Sequence, residues 1–314
     1  MIRIENCSMG DHTSFRCGGR AALFCIPEDL EELRSIVSEA KKSGRPYLFM
    51  GNGSNMLFSD DGYNGYVISL KGLKECSVKL FDKSGAPVNA ENADGFRVSY
   101  GIIEAGAGCS LASAARAALE NGLAGFEFAS GIPGSLGGAV FMNAGAYGGE
   151  MKDVLFSVCT MDENGDVREW QADELDLSYR HSVFMDNRSL IIVSARIRLN
   201  AGPREEIEEK MKDLARRRQE KQPLQYPSAG STFKRPEGHF AGKLIEDAGL
   251  KGLTVGGAQV SELHAGFIIN RGGATATDVL ELIDVVRETV LDRSGVLLEP
   301  EVQIVGAWKK GHSN

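Results

Sequence analysis

Seven glycines fall within nineteen positions at 131–149. They lie in Gly131-Ile132-Pro133-Gly134-Ser135-Leu136-Gly137-Gly138 and in Asn143-Ala144-Gly145-Ala146-Tyr147-Gly148-Gly149. Such density implies backbone held against something, because a residue without a Cβ lets main-chain N–H groups approach closely. A shorter loop, Gly51-Asn52-Gly53-Ser54-Asn55, has the make-up of an anion-binding nest. Taken alone, such a loop is more often a turn than a phosphate site. Two of them within about 80 residues can grip the two phosphates of one dinucleotide from opposite sides. The third glycine of the Rossmann fingerprint is missing, and no Gly-Lys-Ser/Thr of a P-loop occurs, which argues against nucleoside triphosphate hydrolysis.

Three further stretches carry reactive groups. Pro227-Ser228-Ala229-Gly230-Ser231-Thr232-Phe233-Lys234 sets hydroxyls beside a glycine. A serine in such a turn is usually a local cap, and no Gly-x-Ser-x-Gly elbow surrounds it. Tyr179-Arg180 precedes an expected strand, where an arginine is by default a surface cation. Glu299-Pro300-Glu301 lies in an apolar C-terminal run, and a carboxylate buried there needs a partner. The five histidines, at 12, 181, 239, 264 and 312, show no metal spacing, so no catalytic metal is expected.

The elements that position these groups follow from periodicity. Asp29 and Gly44 bracket a helix burying Leu30, Leu33, Val37 and Ala40, and short strands are expected at 47–50 and 66–70. Ser110 is a candidate N-cap for an alanine-rich helix running to Gly122. Residues 76–99 read as a surface hairpin or insertion, and Asn164-Gly165 as a hairpin turn before a strand at 190–199. Pro203 opens a charged helix with Ile207, Met211 and Leu214 inward. A short helix near 242–248, a longer one at about 277–292 and a final strand at 296–305 follow.

The chain has 314 residues, too many for one ordinary core, and an ordinary globular composition with 42% hydrophobic and 25% charged residues. Its net charge of −8 makes nucleic acid an unexpected partner. No apolar stretch approaches the roughly 18 residues of a membrane span, and the N-terminus does not read as a signal peptide, so a cytoplasmic protein without a membrane partner is expected. The six cysteines contain no C-x-x-C pair, which favours reduced thiols.

Seven stretches, in order, resemble UDP-N-acetylenolpyruvoylglucosamine reductases, a family of flavoenzymes of peptidoglycan precursor synthesis. They are 13–19, 51–57, 131–149, Tyr179-Arg180, 228–233, 245–252 and 298–302. The resemblance covers about residues 10–306. It implies an α+β fold: a vanillyl-alcohol-oxidase-like FAD-binding region of two subdomains, 1–75 and 76–203, and a substrate domain at 204–314 whose last strand is a candidate to return to the first subdomain. It implies FAD, with NADPH as hydride donor and UDP-N-acetylenolpyruvoylglucosamine as substrate; neither glycine cluster holds a histidine or cysteine that could attach the ring, so the FAD is expected to be non-covalent. Gly51, Asn52, Gly53, Ser54, Asn55, Gly131, Ile132, Pro133, Gly134, Ser135, Gly137, Gly138, Ala139 and Asn143 match cofactor-binding positions. Arg180 matches the arginine on the substrate carboxylate, Ser231 the proton donor and Glu301 the third active-site residue. Tyr179, Lys251 and His264 fall at positions resembling substrate contacts.

Two departures stand out. Arg235 follows Lys234 where several relatives place an asparagine that touches the substrate, and the short 236–241 segment resembles the class lacking a tyrosine-bearing loop. The alternatives are a flavin oxidase or dehydrogenase of the same fold on another substrate, and a non-catalytic UDP-sugar-binding protein. The first leaves the joint presence of Arg180, Ser231 and Glu301 unexplained, and the intact glycine clusters argue against the second.

Overall fold

A computed structural model describes residues 1–88 and 98–308. Its first layer is a four-stranded sheet in the order Ile2–Ser8, Arg20–Ile26, Tyr63–Ser69, Tyr47–Met50. The last three strands run parallel because helix Leu30–Ser43 crosses between two of them. That helix starts where Asp29 accepts from the Glu32 N–H at 2.8 Å and stops at Gly44, whose left-handed backbone (φ 66°) suits a residue without Cβ. Leu33, Ile36, Val37 and Ala40 form its buried face.

The second layer is an antiparallel sheet. Its main path runs Val167–Gln171, Leu155–Met161, Ile191–Ala201, Tyr100–Gly106, Cys76–Phe81, Pro87–Val88. Helix Leu111–Glu120 packs within the same core, and Ser110 accepts from the Ser113 N–H at its start. The hairpin expected at Asn164-Gly165 is present with a longer loop. Asp162 Oδ1 accepts from the Asn164 and Asp166 N–H groups, and Gly165 alone takes positive φ. Of the expected surface hairpin at 76–99, Cys76–Phe81 pairs along its length with Tyr100–Gly106, and Pro87–Val88 folds back on it. Residues 89–97 of that stretch lie outside the described residues.

Helix Arg204–Lys221 lies against helix Leu111–Glu120 and the 3-10 turn Glu127–Ala129, with Ile207 buried and Lys210 paired to Glu127 at 3.0 Å. A separate core then forms around helix Ala276–Ser294, helix Ala241–Asp247 and the small sheet Thr254–Val255, Ala258–Val260, Ile268–Asn270. The strand expected over 296–305 shrinks to Gln303–Val305, which pairs in parallel with Met56–Phe58. Pro300 has no N–H to give a ladder, so 299–301 instead lies along 232–234, through Lys234 N–H to Glu299 O and Glu301 N–H to Thr232 O, both 2.8 Å. No helix among the described residues is long and apolar enough to cross a membrane.

Candidate active site

The two glycine-rich loops meet. A Cβ on Gly51 would stand 2.1 Å from Ser135 Oγ, so that approach is open only to glycine. Gly137 lies against Ala107; a Cβ there would come within 2.7 Å of the Ala107 methyl. The loop at 131–138 is fastened from below by Leu136 N–H to Cys109 O (2.8 Å) and Gly137 N–H to Ala107 O (2.9 Å). Gly131, Pro133 and Gly138 are exposed above this floor, whereas Ala139 packs in the core. Asn52, Ser54, Ile132 and Gly134 are partly buried, and Gly53 is buried.

Asn55 joins this cradle to the rest of the site. Its Nδ2 donates to Glu301 O at 3.0 Å, while its Oδ1 is buried with no donor among the described residues, and Ser14 Oγ beside the same loop is likewise without a partner among them. Orphaned buried acceptors are costly, and polar groups of a bound dinucleotide would satisfy them. A side-chain-free approach between two loops and unpaired polar atoms at its edge fit FAD. Asn143 contributes differently from its neighbours. Its side chain is fully buried and its amide is bonded to protein, with Nδ2 on Ser178 O (2.8 Å) and Glu150 Oε2 (3.0 Å) and Oδ1 accepting from Lys152 N–H (2.9 Å).

Arg180 and Glu301, 121 positions apart in the chain, form an ion pair at 3.1 Å through Nε, with side chains 17% and 13% exposed. Arg180 Nη2 also donates to Gly145 O at 3.2 Å. The Arg180 backbone is left-handed (φ 54°), a conformation costing an ordinary residue about 1–2 kcal/mol. Burial pushes the Glu301 carboxyl above its usual range, against the opposing pull of Arg180 and, more weakly, Lys234. Ser231 Oγ donates to Phe233 O at 3.2 Å.

These three residues line one cavity of about 360 Å³ together with Tyr179, Lys251 and His264. His264 Nδ1 accepts from Gly266 N–H at 3.1 Å, which requires the tautomer with hydrogen on Nε2. Burial, helped by the charge of Lys251, holds His264 below its ordinary value and keeps it neutral. Lys251 pairs with Glu246 at 3.2 Å. At the mouth, the Tyr179 hydroxyl accepts from Arg235 N–H (3.0 Å), and the Arg235 guanidinium stacks on exposed Phe240, 3.9 Å from the ring centroid.

The family model for the UDP-N-acetylenolpyruvoylglucosamine reductase C-terminal domain matches residues 222–305, and an FAD binding domain model matches 21–171. The UDP-N-acetylenolpyruvoylglucosamine reductase of Agathobacter rectalis is 51% identical over 301 residues, covering 96% of this chain and 93% of its own. That of Caldanaerobacter subterraneus subsp. tengcongensis is 47% identical over 298 residues, covering 95% and 92%. The chain belongs to this family. The crystal structure of the Thermus caldophilus reductase superposes with a TM-score of 0.76 at 35% identity, covering 96% of this chain and 98% of that one. The chain is thus a flavin-dependent oxidoreductase with an FAD-binding region and a C-terminal reductase domain.

Several residues at the candidate site escape a reading of the sequence. Arg218 extends from helix Arg204–Lys221 to the Gly131 carbonyl on the 131–138 loop. It stands in the run Arg216-Arg217-Arg218, which marks a basic surface but not which of the three turns inward. Phe240 was hidden for the opposite reason, since an isolated phenylalanine before a helix reads as core. The carbonyl of Gly145 carries no side-chain signal at all.

Proposed function

We propose that the chain reduces the enolpyruvyl ether of UDP-N-acetylenolpyruvoylglucosamine to the lactyl ether of UDP-N-acetylmuramate, with NADPH as the electron source, in the cytoplasm. The observation that carries this reading is the half-buried Arg180–Glu301 pair beside Ser231 in a cavity joined through Asn55 to the glycine cradle. We further propose that the cofactor rests on 1–75 and 76–203 and the substrate on 204–314. FAD, when bound, would carry hydride from NADPH to the methylene carbon of the enol ether.

Arg180 spends two of its five N–H donors, on Glu301 and Gly145 O, which leaves three for a substrate carboxylate. The guanidinium binds that group and offsets the negative charge growing beside it as hydride arrives. Glu301 holds Nε and so fixes the plane of the fork. Its own burial is offset by the same contact. Ser231 already donates its hydroxyl proton to a carbonyl, and rotation about χ1 redirects it to the carbon next to the carboxylate. A hydroxyl is a weak acid, but an enolate within hydrogen-bond reach is basic enough to take its proton, which solvent then replaces. Neutral His264 presents Nε2–H, and Lys251 an ammonium, to the remaining anionic and polar groups of the nucleotide sugar.

Ser231→Ala tests the assignment. Positioned proton transfer contributes about a hundred- to ten-thousand-fold, so turnover falls by that range while FAD content and substrate binding stay near normal. Ser231→Cys, with a more acidic proton on a similar stem, regains part of the loss. Near-normal turnover of the alanine variant, or loss of its flavin, would return Ser231 to the role of a turn residue.

A further inference from the structure

Arg180 sits at the third position of a four-residue turn closed by His181 N–H to Ser178 O (3.1 Å) and Ser178 N–H to His181 O (3.3 Å). Turns with a left-handed third residue ordinarily place glycine or asparagine there. An arginine is held in it only if the surroundings over-determine the backbone. Ser178 O receives a second donor, Asn143 Nδ2, from the flavin loop. Asn143 is itself left-handed (φ 45°); its Nδ2 donates its second hydrogen to Glu150 Oε2, and its Oδ1 accepts from Lys152 N–H. Glu150 closes the short hairpin Gly145–Ala146 and Gly149–Glu150, whose first residue gives its carbonyl to Arg180 Nη2. The loop therefore grips the arginine twice, once at the turn backbone and once at the guanidinium.

We propose that Asn143 is a positioning residue for the hydride-accepting half-reaction, holding the 178–181 turn so that Arg180 faces the substrate carboxylate, rather than a contact to FAD. This inference rests on the assignment of Arg180 made above. Its chemical content is that one amide ties the cofactor loop to the substrate-binding arginine, so that the two are set at a constant separation.

The test compares the two half-reactions in Asn143→Gly, which accepts positive φ without strain and removes only the amide. FAD affinity, measured by titrating stripped protein, and flavin reduction by NADPH stay within about twofold of the parent. Reoxidation by the enolpyruvyl substrate slows about tenfold, the scale of one buried hydrogen bond. In an Arg180→Ala background the same change adds less than about twofold, because its effect passes through Arg180. Weakened FAD binding, or an undiminished loss in the Arg180→Ala background, overturns the proposal. If Arg180→Ala reoxidises at the parent rate, the assignment of Arg180 fails first and visibly. Should Asn143→Gly not fold, Glu150→Ala decides by removing the second acceptor that orients the same Nδ2. Selective slowing of reoxidation supports the proposal, and parent rates in both half-reactions overturn it.

Discussion

Replacing Arg180 by methionine removes the charge and the hydrogen bond that restrain Glu301, and leaves the carboxyl to its burial. The folded-state pKa of Glu301 already lies above its ordinary value, with burial the largest cause and Arg180 the main opposing one. A carboxyl with a raised pKa binds its proton more tightly in the folded chain. Its contribution to stability is therefore complete below the ordinary carboxylate range and declines as pH rises through the folded value. In Arg180→Met that value climbs further, so the decline extends toward neutral pH and costs about 1.4 kcal/mol for each added unit of separation. Breaking a buried pair costs about 3–5 kcal/mol in total, and at about 2 °C per kcal/mol the variant should melt about 6–10 °C below the parent at pH 8. At pH 4.5 the two should melt much closer together. Thermal melts of the FAD-loaded proteins across this range read the effect directly. Glu150 also feels the Arg180 charge, which helps to lower its pKa, so loss of Arg180 lets a second carboxyl rise in the same direction as Glu301. The double variant Arg180→Met/Glu301→Gln isolates the cause, because it should recover most of the lost stability and flatten the pH dependence. Parallel melting curves for Arg180→Met and the parent, or no recovery in the double variant, would refute the reasoning.

Gly51→Ala drives a methyl into Ser135 Oγ, so that hydroxyl must leave the Gly138 N–H it caps or the two loops must part, and FAD affinity should fall about tenfold or more in a flavin titration. Unchanged affinity would remove Gly51 from the cradle. Acid precipitation should leave the yellow colour in solution, because neither glycine cluster holds a histidine or cysteine that could attach the ring covalently; a coloured pellet contradicts this. Thr275 accepts from Asp278 N–H while Asp278 returns the bond to Thr275 N–H. Thr275→Ala should thus cost about 1 kcal/mol, seen as a lower melting temperature with an unaltered flavin spectrum.

Local signals carried much of the fold into the sequence. Asp29, Ser110 and Gly44 mark helix ends where the structure has them, because a cap is decided within three or four residues. The strand at the C-terminus was overestimated because its partner, Met56–Phe58, lies far away in the chain. Pro300 within the apolar run at 296–305 is the available sign that the ladder breaks there, and the hydrophobic pattern outweighs it. At the site, residue types pointed to Arg180, Ser231 and Glu301 only through their flanking motifs. That Arg180 and Glu301 touch depends on tertiary packing, as does the left-handed arginine, which runs against local preference. Asn143 is a further case: its place in a glycine-rich motif suggested a cofactor contact, and nothing in the sequence signals that its amide also bonds Ser178 O, Glu150 Oε2 and Lys152 N–H.

Asn55, near the beginning of the chain, waits for the carbonyl of Glu301, 246 positions later. Met56–Phe58 likewise acquires its neighbour from Gln303–Val305, and Asp60 receives the first N–H groups of helix Ala276–Ser294 at 2.9 and 2.8 Å. At about 5–20 residues per second, a ribosome needs on the order of ten seconds or more to supply those partners after Asn55 has emerged. A nascent or prematurely terminated chain can assemble the first sheet and its crossover helix, yet it has no carboxylate to set the arginine. The carboxylate beside Arg180 and the carbonyl that Asn55 bonds thus both come from a segment made long after the first sheet.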